Sequence, residues 1–151
     1  MKKRILSILL TLVMVIVMLP TAALAADATA TADFSADPTA ALSLLNAAKT
    51  GTADSTWDPY TNTLTLNGVN FTTTNPTAVK LPAGATIVLN GENTIKGGNS
   101  DSAYSYGIWG AGDLTIQDGL EEGTGTLNVT GGNTTGSIYN SYGIWVDNGN
   151  V

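Results

Sequence analysis

The chain has 151 residues, of which 43% are hydrophobic and only 12% charged, with a formal net charge of −6. It has no cysteine and no histidine, which excludes disulfides, thiolate metal sites and any imidazole general base. The acidic balance also excludes phosphate backbones and anionic headgroups as partners, so neither nucleic acid nor a membrane surface is expected to bind.

The first element in chain order is a targeting segment. Met1 to Arg4 is a basic n-region, Ile5 to Leu19 an apolar core, and Ala23-Leu24-Ala25 supplies the small residues of a signal-peptidase site. About 15 apolar residues are short for a bilayer span, and Pro20 breaks the helix before the cleavage site. Residues 1–25 are therefore read as a secretory signal peptide, and the protein as secreted or extracellular. Cleavage before Ala26 leaves Lys49, Lys80 and Lys96 against all twelve acidic residues, a net charge of −9. The remaining 126 residues suffice for one domain.

Residues 26–36 are Ala, Thr and Asp with little to bury, and read as a flexible leader. Residues 37–51 predict a short capping helix at about 38–49. Asp37 is placed to cap it, Pro38 fits its first turn, Leu42 and Leu45 share a face, and Gly51 ends it. From residue 52 to 151 the texture changes to brief apolar alternation interrupted by Asn-Gly, Asp-Gly and Gly-Gly, the pattern of short strands and tight turns.

These strands repeat. One set is "LTLNG" at 64–68, "IVLNG" at 87–91 and "LTIQDG" at 114–119, which aligns Leu66, Leu89 and Ile116 at spacings of 23 and 27. A second set is "VNF" at 69–71, "NTIKGG" at 93–98 and "LNVTGG" at 127–132. A third is "AVKL" at 78–81 and "YGIW" at 106–109 and again at 142–145. The order of the sets never changes, as in repeat units that cannot bury an apolar face alone. The fold expected is all-β: a right-handed parallel β-helix, or solenoid, of about three coils, with the short helix covering its first coil. Trp57 and Tyr60 are expected to help close that coil, and asparagines after the strands to ladder at its corners.

The stretches "STWDPYTNTLTLNGVNF", "LPAGATIVLNGENTIKGG" and "SYGIWGAGDLTIQDG" resemble the secreted β-helix repeat proteins of gut-type Gram-positive bacteria, similar in fold to the pectin-lyase-like superfamily. The resemblance covers about Leu42 to the end. It implies an extracellular or cell-surface role facing glycans and nominates no catalytic residue, since lyases, hydrolases, binding modules and adhesins share the scaffold.

The residues themselves favour binding over catalysis. The mature chain has no arginine, and Lys80 and Lys96 are the only bases in the strands. An amine must be desolvated, or placed beside another cation, to act as a base near neutrality. Asp113, Asp118, Glu121 and Glu122, the carboxyl groups from which a hydrolase pair would be drawn, sit in turns beside glycine and read as a solvated acidic loop. Calcium is the one cofactor with any support, from the oxygen-rich turns at 99–102 and 147–150. Both lack the spacing of known calcium loops, and turn chemistry accounts for them.

Alternation sends Val79, Ile108 and Ile144 inward and Lys80, Trp109 and Trp145 outward in one column, with Tyr106 and Tyr142 of opposite parity at a corner. Strand neighbours lie about 4.8 Å apart, so the two tryptophans form an apolar ridge. That ridge is either a structural ladder or a surface on which sugar rings stack. The expected function is a non-catalytic carbohydrate-binding or adhesive module with Trp109, Trp145 and Lys80 as its binding residues. The alternatives are a polysaccharide lyase or hydrolase, or a surface spacer. Finally, "VDNGNV" places Val151 where Leu114 stands one repeat earlier. The chain is thus expected to be the front part of a longer protein, self-associating through an open last coil.

Overall fold

The computed structural model describes residues 28–119 and 124–151. The signal-peptide reading, and Glu121 and Glu122, lie outside the described residues. The elements are β1 (Ala32–Asp33), α1 (Pro38–Ala47), β2 (Thr56–Asp58), β3 (Thr63–Asn67), β4 (Asn70–Thr72), β5 (Thr77–Leu81), β6 (Ala85–Asn90), β7 (Glu92–Lys96), β8 (Ser105–Gly110), β9 (Leu114–Asp118), β10 (Thr126–Thr130) and β11 (Ser141–Val146). The fold is mostly strand, in three sheets of order β2-β3-β6-β9, β4-β7-β10 and β1-β5-β8-β11. Every pairing between these strands is parallel except β2 with β3, and the isolated bridge of Lys49 with Val69 is also antiparallel. From β3 onward the chain visits the sheets in strict rotation, the order in which the repeated words occur.

The core follows from period-two alternation. Leu64, Leu66, Ile87, Leu89 and Leu114 point inward from one sheet, Phe71 and Ile95 from the second, and Val79, Leu81 and Ile108 from the third. Each such side chain contributes about 1.5–3 kcal/mol when taken out of water. Leu64 faces Ile87 and Leu66 faces Leu89, as the repeat alignment expects. The third copy is displaced: Ile116 pairs with Ile87, and Leu114 with Ala85. A shift of two residues keeps every side chain on its face, whereas a shift of one would turn the apolar set outward.

Turns are held by side chains. Asn90 donates to Asn67 Oδ1 at 2.8 Å, the expected corner pair. Asn93 is buried; its Oδ1 accepts from the Val69 amide at 3.0 Å, while its Nδ2 donates to the Asn90, Gly91 and Thr126 carbonyls. A buried amide this fully satisfied ties three successive strands together instead of destabilising them.

The amino-terminal end differs from expectation in three ways. The 26–36 stretch, read as a flexible leader, is docked from residue 28: Ala28 bridges Thr73, Ala32 and Asp33 pair with Val79 and Lys80, and Ala32 and Phe34 are buried. Two alternating inward side chains are enough to seat it as a strand. The helix is capped by Asp37, which accepts from the Thr39 and Ala40 amides, and it buries Ala41 and Leu45. It ends at Ala47, before Gly51, because the following residues are drawn into bonds with the next corner: Asn70 donates to the Ala48 carbonyl, and Thr50 to that of Gly68. Trp57 does close this end, its ring 4.8 Å from that of Phe34, but Tyr60 is 97% exposed on a turn.

Candidate functional site

Four residues stand in register across the sheet that contains both copies of the repeated pentapeptide. Asp33 pairs with Lys80, Lys80 with Trp109, and Trp109 with Trp145. The structure thus assembles the three residues singled out from the sequence in one column and adds an acid at its head. Lys80 Nζ lies 3.3 Å from Asp33 Oδ2 and 5.3 Å from the centroid of the Trp109 ring. The ammonium is therefore held between a carboxylate and an aromatic face, both attractive to it. Partial burial pushes the Asp33 carboxyl up, but hydrogen bonds from the Ser35 hydroxyl and amide, with the Lys80 charge, outweigh it and hold the carboxyl below its ordinary range.

Trp145, exposed at the sheet edge, turns toward a group of tyrosines. Its ring lies 4.8 Å from that of Tyr142 and 6.5 Å from that of Tyr106. Tyr106 and Tyr142 are stacked, 5.9 Å apart and 14° from parallel. Tyr104 lies 6.3 Å from each of them and packs edge-on against Tyr139 at 5.5 Å. Burial raises the Tyr106 hydroxyl pKa, and Tyr104, Tyr142 and Asp147 raise it further.

This corrects the placement of Tyr106 and Tyr142 at a corner of opposite parity. Simple alternation puts residues three apart on opposite faces, yet Tyr142 and Trp145 touch. The reason is a break in the alternation: Gly107 and Ile108 are both buried, and the paired registers skip Gly107 and Gly143. A Cβ at Gly107 would stand 2.3 Å from Val129 Cγ1 and 2.8 Å from the Gly143 carbonyl, and one at Gly143 only 2.7 Å from the Val129 carbonyl. β10 packs against both glycines, where a side chain has no room, and the tyrosines lie beside the tryptophan. The Tyr-Gly pair within both pentapeptides carries the signal, a glycine at the one position where the neighbouring sheet leaves no room for a side chain.

The other candidates are engaged elsewhere. Asp113 Oδ1 accepts from the Asn150 amide at 2.8 Å. In the turn at 99–102, Asn99 Oδ1 accepts from the Asn133 amide, Ser100 Oγ from the Ala103 amide, and Asp101 from the Thr135 hydroxyl. Among the described residues, no three acidic side chains come together as a cation site. Lys96 lines a 290 Å³ depression with Thr72, Thr73 and Thr74, and a 470 Å³ depression is lined by Thr50, Asn67, Gly68, Asn90, Gly91 and Glu92; neither includes an aromatic ring. The aromatic site is a surface cluster: Tyr104 and Trp145 are exposed, Tyr106 and Tyr142 are half-buried and stacked on each other, and the Tyr142 hydroxyl accepts from Asn140 Nδ2. A cluster of this kind offers apolar ring surface and phenol oxygens side by side. No family model, curated protein or solved structure matches the chain.

Proposed function

We propose that this chain is a secreted, non-catalytic glycan-binding module built as a right-handed parallel β-helix, and that it engages extracellular polysaccharide through Trp145, Tyr142, Tyr106 and Tyr104, with Trp109 and Lys80 extending the surface. The solenoid reading rests on the strict rotation of β3 to β11 through three sheets and on parallel registers that repeat in the same order. The observation that carries the functional reading is the cluster of aromatic rings on one side of a single sheet, beside the in-register column. Exposed rings in contact present apolar faces to the C–H faces of sugars, and phenol hydroxyls supply hydrogen bonds at the edges. The apolar amino-terminal leader supports secretion.

Affinity electrophoresis of the secreted chain through gels containing single polysaccharides tests this. Retardation by at least one polysaccharide is expected, and it should vanish in a Trp145→Ala, Tyr142→Ala double variant that keeps its strand signature in circular dichroism. Mobility unaffected by every polysaccharide would refute the binding reading. Release of reducing ends or unsaturated uronates from a retained polysaccharide would move the protein to the enzymes.

A further inference from the structure

We infer that the aromatic surface selects uncharged glycans, and that Asp33 is the residue that sets this selectivity by occupying the only cation in the column. The inference rests on the glycan-binding reading above and assigns its ligand class. A lysine beside exposed aromatic rings ordinarily suggests a site for uronates or sulfated sugars, because a free ammonium attracts the anionic group while the rings take the ring face. Here that ammonium is engaged from two sides, by the Asp33 carboxylate at 3.3 Å and by the Trp109 ring at 5.3 Å.

The other charges near the rings are negative. Asp147 follows β11 and acts on the Tyr106 hydroxyl, and Asp101 bonds Thr135 beside the Tyr139 loop. The other lysines among the described residues lie elsewhere: Lys49 pairs with Asp54, and Lys96 lines the depression beside Thr72, Thr73 and Thr74. An anionic polymer laid along the rings therefore meets carboxylates with no free counter-charge, whereas a neutral polymer meets only ring faces and hydroxyls. Asp33 is well placed for this role. Its carboxylate is oriented by the Ser35 amide and hydroxyl and by the Ala36 amide, so it is held on Lys80 and does not rotate away.

The test compares retention of the secreted chain by a neutral polysaccharide, a uronate polymer and a sulfated polymer at low salt. Wild type should be retained by the neutral polymer and measurably more weakly by both acidic ones. Asp33→Asn keeps an acceptor for Ser35 and Ala36 while freeing Lys80, and should raise retention by the acidic polymers roughly two- to fivefold, the range of an exposed ion pair, without changing retention by the neutral one. Lys80→Gln, which leaves Asp33 uncompensated, should move acidic retention the other way and serves if Asp33→Asn fails to fold. Preferential retention of wild type by an acidic polymer would overturn the selectivity while leaving glycan binding intact. Acidic retention unchanged in both variants would overturn the role of Asp33. Absence of retention by all three polymers would overturn the glycan-binding reading and this inference with it.

Discussion

Tyr142 and Trp145, three residues apart on one strand, hold their rings 4.8 Å apart and tilted by 52°, although regular alternation would put them on opposite faces of the sheet. Gly143 lies between them, against the Val129 carbonyl, where the paired register is interrupted. The contact is therefore made by the second sheet pressing on a glycine, and it converts two buried-or-exposed alternatives into one continuous surface.

The rings should be dispensable for folding. Contacts of this kind are worth about 0.5–1.5 kcal/mol, so Tyr142→Ala or Trp145→Ala is expected to lower the urea midpoint only modestly while each weakens polysaccharide retardation at least severalfold. A cooperative loss of structure in either variant would mark the cluster as a packing device.

The glycines beneath them should not be dispensable. Gly107→Ala forces a methyl group to within 2.3 Å of Val129 Cγ1 and 2.8 Å of a carbonyl oxygen, which is expected to cost about 1–3 kcal/mol as overpacking. Adding Val129→Ala should recover part of that loss, because one of the three clashes is with a side chain and the other two are with the Gly143 and Thr130 carbonyls. Gly143→Ala meets backbone alone at 2.7 Å and should resist rescue by Val129→Ala. Equilibrium urea unfolding of the four variants distinguishes these outcomes.

Asn93 is expected to be the most sensitive polar position. Asn93→Leu removes the acceptor of the buried Val69 amide and the donor to three carbonyls. A stranded buried polar group costs about 1–3 kcal/mol, so the thermal midpoint should fall by more than in any of the aromatic-to-alanine variants.

Two shifted ionisations contribute to the pH dependence of stability. The Asp33 carboxyl is held below its ordinary value of 3.8, so its contribution to stability is present above that value and is lost as pH falls through the lower, folded-state value. The Tyr106 hydroxyl is raised above its ordinary 10.0, so its contribution is present below that value and is lost as pH rises through the folded-state one. Asp33→Asn should therefore flatten the acid limb of stability, and Tyr106→Phe the alkaline limb. Ultraviolet titration should show one late-ionising tyrosine that disappears in Tyr106→Phe.

Among the described residues β9, β10 and β11 each pair on one side only, and their Ile116, Leu127, Val129, Ile144 and Val146 are only partly buried. Open strand edges next to apolar surface recruit further strands. Sedimentation velocity should show association that grows with concentration and is suppressed by Val146→Lys, which places a charge at the end of the outermost strand. A monomer at every concentration would contradict this.

Period, parity and local punctuation determined a large part of this protein before any coordinate. The recurring Leu-x-Leu and Ile-x-Leu pairs could bury one face only by alternation, and Asp37 with Pro38 could only begin a helix. The in-register column of Lys80, Trp109 and Trp145 followed from copies of one strand lying side by side. Contacts between sheets decided the rest. The two-residue shift of Leu114 and Ile116 preserves parity, so alternation cannot register it. The seating of Ala32 and Phe34 depends on a core supplied by residues far along the chain. The pairing of Asp33 with Lys80 and the emergence of Tyr106 and Tyr142 beside Trp145 depend on where β1 docks and where β10 presses on Gly107 and Gly143. Those are matters of excluded volume between segments distant in sequence, which no local pattern records.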